Sequence, residues 1–143
     1  MQKFGFIVLS LMLLNTQVAA DDFLTSKQWK IVNYWSLWCA PCRVEIPELN
    51  LLSKELAPFG VIVVGVNFDE DPRAKTMKIA KRMGIDFPTL ELATVRALHI
   101  EAPHVLPTTY ILGPDNEIRT KLVGVQDRES LKKALANLNF SEG

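Results

Sequence analysis

The chain has 143 residues, 48% of them apolar, with 16 Lys and Arg against 16 Asp and Glu and so no net charge. That length makes one ordinary domain, and an even charge with no basic run longer than two residues gives no reason to expect a nucleic-acid partner. With two cysteines in all, it is not a scaffold held together by many disulfides.

The N-terminus carries Lys3, an apolar run FGFIVLSLMLL from Phe4 to Leu14, a polar NTQ, then VAA and DDF. A basic start, a short apolar core and small residues describe, in that order, a secretory signal, with cleavage expected after Ala20. The 11 apolar residues fall short of the roughly 17 that a spanning helix needs. The alternative is an uncleaved leader that tethers the protein to a membrane. No cysteine follows the cleavage point, which argues against a bacterial lipoprotein anchor. Residues 21–143 then form one domain with 15 basic and 16 acidic residues, expected to be soluble and monomeric.

In chain order, KIVNYW (Lys30 to Trp35) reads as a short strand rich in β-formers. Ala40 to Leu56 reads as a helix, with Val44, Leu49, Leu52 and Leu56 near helical spacing, Pro41 in its first turn and Pro47 expected to kink it. VIVVGVNF (Val61 to Phe68) is continuously apolar, as a strand covered on both faces should be. DPRAKTMKIAKRMG forms a second helix ending at Gly84, and a connecting segment follows. TTYILG and EIRTKLVG form two strands joined through GPDNE, and DRESLKKALANL closes the chain as an amphipathic helix with Asp127 as N-cap. The order βαβα, connection, ββα predicts an α/β domain: a mixed central sheet with helices on both faces.

Both cysteines lie in WSLWCAPCRVEIPEL, two residues apart. Cys39 falls at the N-cap or first residue of the first helix, where unpaired N–H groups and the helix dipole favour a thiolate. Cys42, one turn on, lies on the same side, close enough to close a disulfide with it. A nucleophilic thiol with a second thiol to resolve it is the chemistry of disulfide exchange. Two other readings compete. A structural staple closing so small a loop removes little entropy from the unfolded chain. A metal site needs His99 and His104 as further ligands, but 56 residues separate Cys42 from His99, against roughly 12 to 15 in a compact zinc finger; no metal is expected.

NYWSLWCAPCRVEIPEL together with VLPTTYILGPDNEI resembles the thioredoxin superfamily, and within it the TlpA/ResA-like thiol–disulfide oxidoreductases that work outside the cytoplasm. The resemblance covers about Lys30 to Leu138. It implies a thioredoxin fold, a nucleophilic Cys39, a resolving Cys42, a redox disulfide Cys39–Cys42 and a cis proline at Pro107 facing the pair, with no cofactor. Two departures stand out: the mature chain begins too late for most of the β-hairpin that members often carry before the first strand, and LELATVRALHIEAPHV lacks the glycine expected before LPTT. Asn33 occupies the strand position where cytosolic thioredoxins carry a buried, proton-transferring aspartate. Glu45, three residues after Cys42, matches an acidic position of the TlpA/ResA-like group and is the candidate proton relay. Trp38, Ala40, Pro41, Leu106 and Thr108 are the candidate substrate-contact residues, Leu106 through its backbone, while Trp29 and Trp35 are assigned to packing.

The expected function is a periplasmic oxidoreductase that reduces disulfides of exported proteins and is recharged by a membrane-embedded thiol donor. The alternatives are an oxidant that donates its disulfide and a peptide-binding, chaperone-like module without turnover. Strong oxidants of the superfamily place a histidine between the cysteines; here Ala40 and Pro41 intervene, which favours the reductant.

Overall fold

Alternating side chains along the central strands build two separate apolar layers in this computed structural model, which describes residues 20–141. The expected leader, residues 1–20, lies outside the described residues apart from Ala20. The elements are α1 (Ala20–Thr25), β1 (Trp29–Trp35), α2 (Ala40–Leu56), β2 (Val61–Asn67), α3 (Arg73–Arg82), α4 (Leu92–Ala97), β3 (Thr108–Leu112), β4 (Ile118–Val123) and α5 (Arg128–Asn137). Among the described residues the strands make one sheet in the order β2-β1-β3-β4. β1 and β2 are parallel from Trp29↔Val61 to Trp35↔Asn67, and β3 runs antiparallel to both β1 and β4. This is the mixed sheet that the pattern of elements predicts.

One face of the sheet, with Ile31, Trp35, Val63 and Ile111, packs on α2, α3 and α5. The other, with Val32, Tyr34, Val64, Val66 and Tyr110, packs on α1 and α4 through Phe23, Val95 and Leu98. β2 is therefore covered on both sides, which is why it reads as an unbroken apolar run. Helix α2 has the expected bounds and runs through Pro47, and its buried face is Cys42, Glu45, Ile46, Leu49, Leu52 and Leu56. Val44 does not belong to that face: at 100° per residue it points away from Cys42 and Ile46, and it is 66% exposed. Asp127 caps α5 as expected, its side chain accepting from Ser130 N–H while Ser130 answers the cap's own N–H.

Two helices were not anticipated. α1 and α4 are six residues each, too short to show a helical period, and α4 lies in the segment read as a connection. α1 is tied to the domain by Phe23 in the core and by Asn116, whose side-chain amide donates to the Leu24 carbonyl at 2.7 Å, while the Lys30 ammonium holds the turn that follows through the Ser26 and Gln28 carbonyls at 2.8 and 3.0 Å.

Gly65 in the middle of β2 marks a close approach. A Cβ there would meet Trp35 Nε1 at 2.6 Å and the Phe87 ring at 3.0 Å. Both rings are buried, and the backbone of Gly65 is fixed by bonds to Pro88 and Leu90 at 2.8 Å on its outer edge. Gly65→Ala should therefore destabilise the protein by about 1–3 kcal/mol, read as a lower urea midpoint with an unchanged slope; an unchanged midpoint would mean that Trp35 can move aside.

Candidate active site

β1 ends at Trp35, a three-residue turn follows, and the Cys39 amide closes it on the Ser36 carbonyl at 3.2 Å. Cys39 is the N-cap of α2, with extended backbone (φ −86°, ψ 97°), and its Sγ accepts the Cys42 N–H at 3.2 Å. The two sulfurs form a disulfide with Cα atoms 5.3 Å apart. The cap bond and the helix N-terminus both place positive potential on Cys39 Sγ, the sulfur expected to be the nucleophile. In the disulfide form Cys39 is 3% exposed and Cys42 is fully buried, so the little surface of the pair belongs to Cys39. The N-cap position turns the sulfur inward over the first turn and into the cluster of Trp35 and Ile46.

The Leu106–Pro107 bond is cis, as the resemblance implies. Pro107 is buried, and its carbonyl accepts from Gly124 N–H at 2.9 Å, tying the loop to the end of β4. Leu106 packs against the same apolar cluster that holds both cysteines. Ala40 and Pro41 are exposed beside the disulfide. Thr108 is placed differently from a substrate contact: it is fully buried, and its hydroxyl donates to the Val105 carbonyl at 2.7 Å, so it braces the proline loop from inside.

Trp38 is 65% exposed but not loose. Its indole N–H donates to Asp69 Oδ1 at 2.9 Å, its ring meets Phe68 edge-on at 6.2 Å, and Ser36 Oγ donates to the other Asp69 oxygen. The sequence pattern did not single out Ser36, Phe68 or Asp69 as residues of the site. The signal for Asp69 lay in its place just beyond the carboxyl end of a parallel strand, where sites on α/β sheets gather.

Glu45 is fully buried on the inner face of α2. Its Oε1 accepts from Asn33 Nδ2, and its Oε2 accepts the Gln126 N–H at 3.0 Å. Asn33 also donates to Thr109 Oγ1 at 3.0 Å, while its own Oδ1 has no partner. Position 33 of the strand thus holds an amide that grips an acid on the helix. Burial pushes the Glu45 carboxyl up from 4.5 to about 7, against the opposing effect of the Gln126 and Asn33 hydrogen bonds. His99 and His104 are both exposed, and among the described residues no three His, Cys, Asp or Glu side chains gather as a metal site.

A mixed sheet with a disulfide at the strand-to-helix junction and a cis-proline loop defines the thioredoxin fold. The chain belongs to the AhpC/TSA family, whose profile matches residues 9–121. It is 29% identical over 107 residues to the thiol-disulfide oxidoreductase ResA of Geobacillus thermodenitrificans, an alignment covering 75% of this chain and 61% of that protein. It is 31% identical over 109 residues to the thiol:disulfide interchange protein DsbE of Pseudomonas aeruginosa, covering 76% and 58%. The chain thus spans about three-fifths of the length of these relatives. Among solved structures, a secreted thiol-disulfide isomerase from Corynebacterium glutamicum matches with a TM-score of 0.62 at 28% identity, over 81% of this chain and 70% of that one. StoA from Bacillus subtilis shares the fold, with a TM-score of 0.59 at 24% identity over 76% and 82%.

The raised Glu45 carboxyl has a consequence for stability. The folded protein holds this proton more tightly than the unfolded chain does, so its contribution is fully present below pH 4.5 and is lost as pH rises through about 7. Glu45→Gln removes that loss. The stability of the variant relative to the parent should grow by about 2–3 kcal/mol between those limits, measured by urea unfolding of the oxidised forms; a constant difference would mean that Glu45 ionises as an ordinary surface acid.

Proposed function

We propose that the protein is a thiol–disulfide oxidoreductase working outside the cytoplasm, where it reduces disulfides of exported proteins. The observation that carries this reading is the N-cap sulfur of Cys39 resting on the Cys42 amide, paired with a buried second sulfur one turn along. In the reduced protein, the Cys39 thiolate attacks one sulfur of the substrate disulfide. The other substrate sulfur leaves as a thiolate and takes up a proton, and a mixed disulfide remains. Cys42 then loses its proton, attacks Cys39 Sγ and releases the second substrate thiolate. Two electrons have passed to the substrate, and the protein is left as the Cys39–Cys42 disulfide.

Glu45, one turn beyond Cys42 and close to half-protonated at neutral pH, is the group we assign to take the Cys42 proton. We place the polypeptide across Trp38, Ala40 and Pro41 and along the Leu106 backbone, next to Pro107, which has no N–H to offer. The dithiol is restored by a second exchange, with a membrane-embedded thiol donor as reductant. The order of basic, apolar and small residues at the N-terminus supports the location, and no described helix is long and apolar enough to cross a membrane.

The reducing direction is supported by what surrounds the sulfurs. Ala40 and Pro41 bring no charge, and an ionised Glu45 opposes further negative charge in the reduced state. Equilibration in dithiothreitol or glutathione buffers, read by tryptophan fluorescence and paired with insulin reduction, tests this. A potential below about −200 mV with turnover of insulin is the expected result. A potential above about −150 mV would make the protein an oxidant, and no turnover at all would make it a binding module.

A further inference from the structure

The sheet face opposite the thiols holds a cavity of about 100 Å³ that none of the assigned roles uses. Val66, Phe68 and Val95 form its apolar walls, Tyr34 lines it from β1, and Glu70 and Arg96 are the charged residues of its lining. Tyr34 is 3% exposed, and its hydroxyl makes no hydrogen bond among the described residues. Its edge-on neighbour Tyr110, 5.8 Å away, donates to the Glu101 carbonyl at 3.0 Å, so of the two phenols only Tyr34 lacks a partner among the described residues. A buried hydroxyl with no partner is costly and is not an expected packing outcome. Burial, with Tyr110 and Glu70 nearby, pushes the phenol up to about 12, so it stays a hydroxyl donor across the physiological range. Glu70 and Arg96 are exposed, and neither side chain makes a hydrogen bond or ion pair among the described residues. Glu70 also holds left-handed backbone (φ 52°), a strained conformation for a non-glycine residue.

The cavity adjoins the proposed exchange site on two sides. Phe68, one of its walls, meets Trp38 edge-on, and Trp38 precedes Cys39. Tyr34 is the register partner of Thr108, which follows the cis proline.

We propose that this cavity is the specificity pocket for the substrate polypeptide and takes a carboxamide side chain, glutamine above all, carried within two residues of the attacked cysteine. The inference rests on the exchange reading and deepens it. The volume suits one medium side chain and is well below the several hundred Å³ of pockets for free ligands. The apolar walls take the methylenes, the Tyr34 hydroxyl donates to the amide oxygen, and Glu70 accepts from the amide nitrogen. A carboxylate of the same shape meets Glu70 as a like charge and Arg96 as an opposite one, which offset at this exposed rim, and it loses its hydration between the apolar walls, so glutamate is disfavoured. An aliphatic side chain fills the walls but leaves Tyr34 unpaired.

The test uses short peptides whose one cysteine is a mixed disulfide with glutathione, identical except for Gln, Glu, Leu or Ala at each of the two positions on either side of it. A small aromatic disulfide serves as a substrate with no side chain to read. At one position the Gln peptide should exceed the Ala peptide about fivefold in kcat/KM, through KM, with Glu no better than Ala. Tyr34→Phe should bring the Gln-to-Ala ratio below about twofold while the Leu-to-Ala ratio holds. Ala102→Leu, at an exposed position in the lining, should reduce the preference for Gln and Leu together by narrowing the cavity. Equal rates for Gln and Ala at all four positions, with the small disulfide still reduced, would overturn the pocket and leave the exchange reading standing. A glutamine preference that survives Tyr34→Phe would overturn it as well. If the small disulfide is not reduced either, the exchange reading fails and the pocket with it.

Discussion

The bond from the Cys42 amide to Cys39 Sγ is the constraint on which the site depends. It exists because a strand buried on both faces delivers the chain to the start of a helix, and a cysteine takes the N-cap place usually held by serine or aspartate. A capping oxygen would satisfy an orphan amide and do no more. A capping sulfur satisfies it and gains a reason to ionise, since the same amide and the helix dipole that need an acceptor also stabilise a thiolate. Pro41 belongs to the same economy of donors, because at the second helical position its missing N–H is one the helix could not have bonded.

Behind the sulfurs, the acid is held by elements far apart in the chain. Glu45 on α2 accepts from Asn33 on β1 and from the backbone of Gln126 before α5, while Thr109 on β3 accepts from the same Asn33 amide nitrogen. Two good donors are not enough to keep a fully buried carboxylate charged, so the group rests near neutrality and can both take and return a proton. An ionised aspartate at position 33 would bring a second charge to the same place. With an amide there, one acid is left, and the neighbours that orient it cannot titrate.

How much of this is legible from residues alone follows the range of the interactions. Helix α2, its proline near the N-terminus and the cap at Cys39 are local, and the unaided pattern places them with the right bounds. β1 and β2 are legible because apolar runs between turn residues have one reading in an α/β chain. The cis Leu106–Pro107 bond has no local signal strong enough; it came from the resemblance of LPTT to a family motif. Gln126 as a partner of Glu45 lies 81 residues away and contributes only its backbone, which no side-chain pattern can announce. Asp69 gripping Trp38 joins side chains 31 residues apart, and Thr108 turns inward on Val105 because the strand it begins is buried. Val44 shows the opposite failure, an apolar residue read near the helical spacing of the buried face that is nevertheless 66% exposed.

The claim that Cys39 is the entering sulfur, and that its place at the helix start makes it so, is tested most directly by alkylation of the fully reduced protein across pH with mass analysis of each cysteine. The account predicts that Cys39 is modified first, with an apparent pKa below the ordinary thiol value of about 8.5, and that Cys42 reacts slowly throughout. Faster modification of Cys42, or a Cys39 that titrates at or above about 8.5, would contradict it.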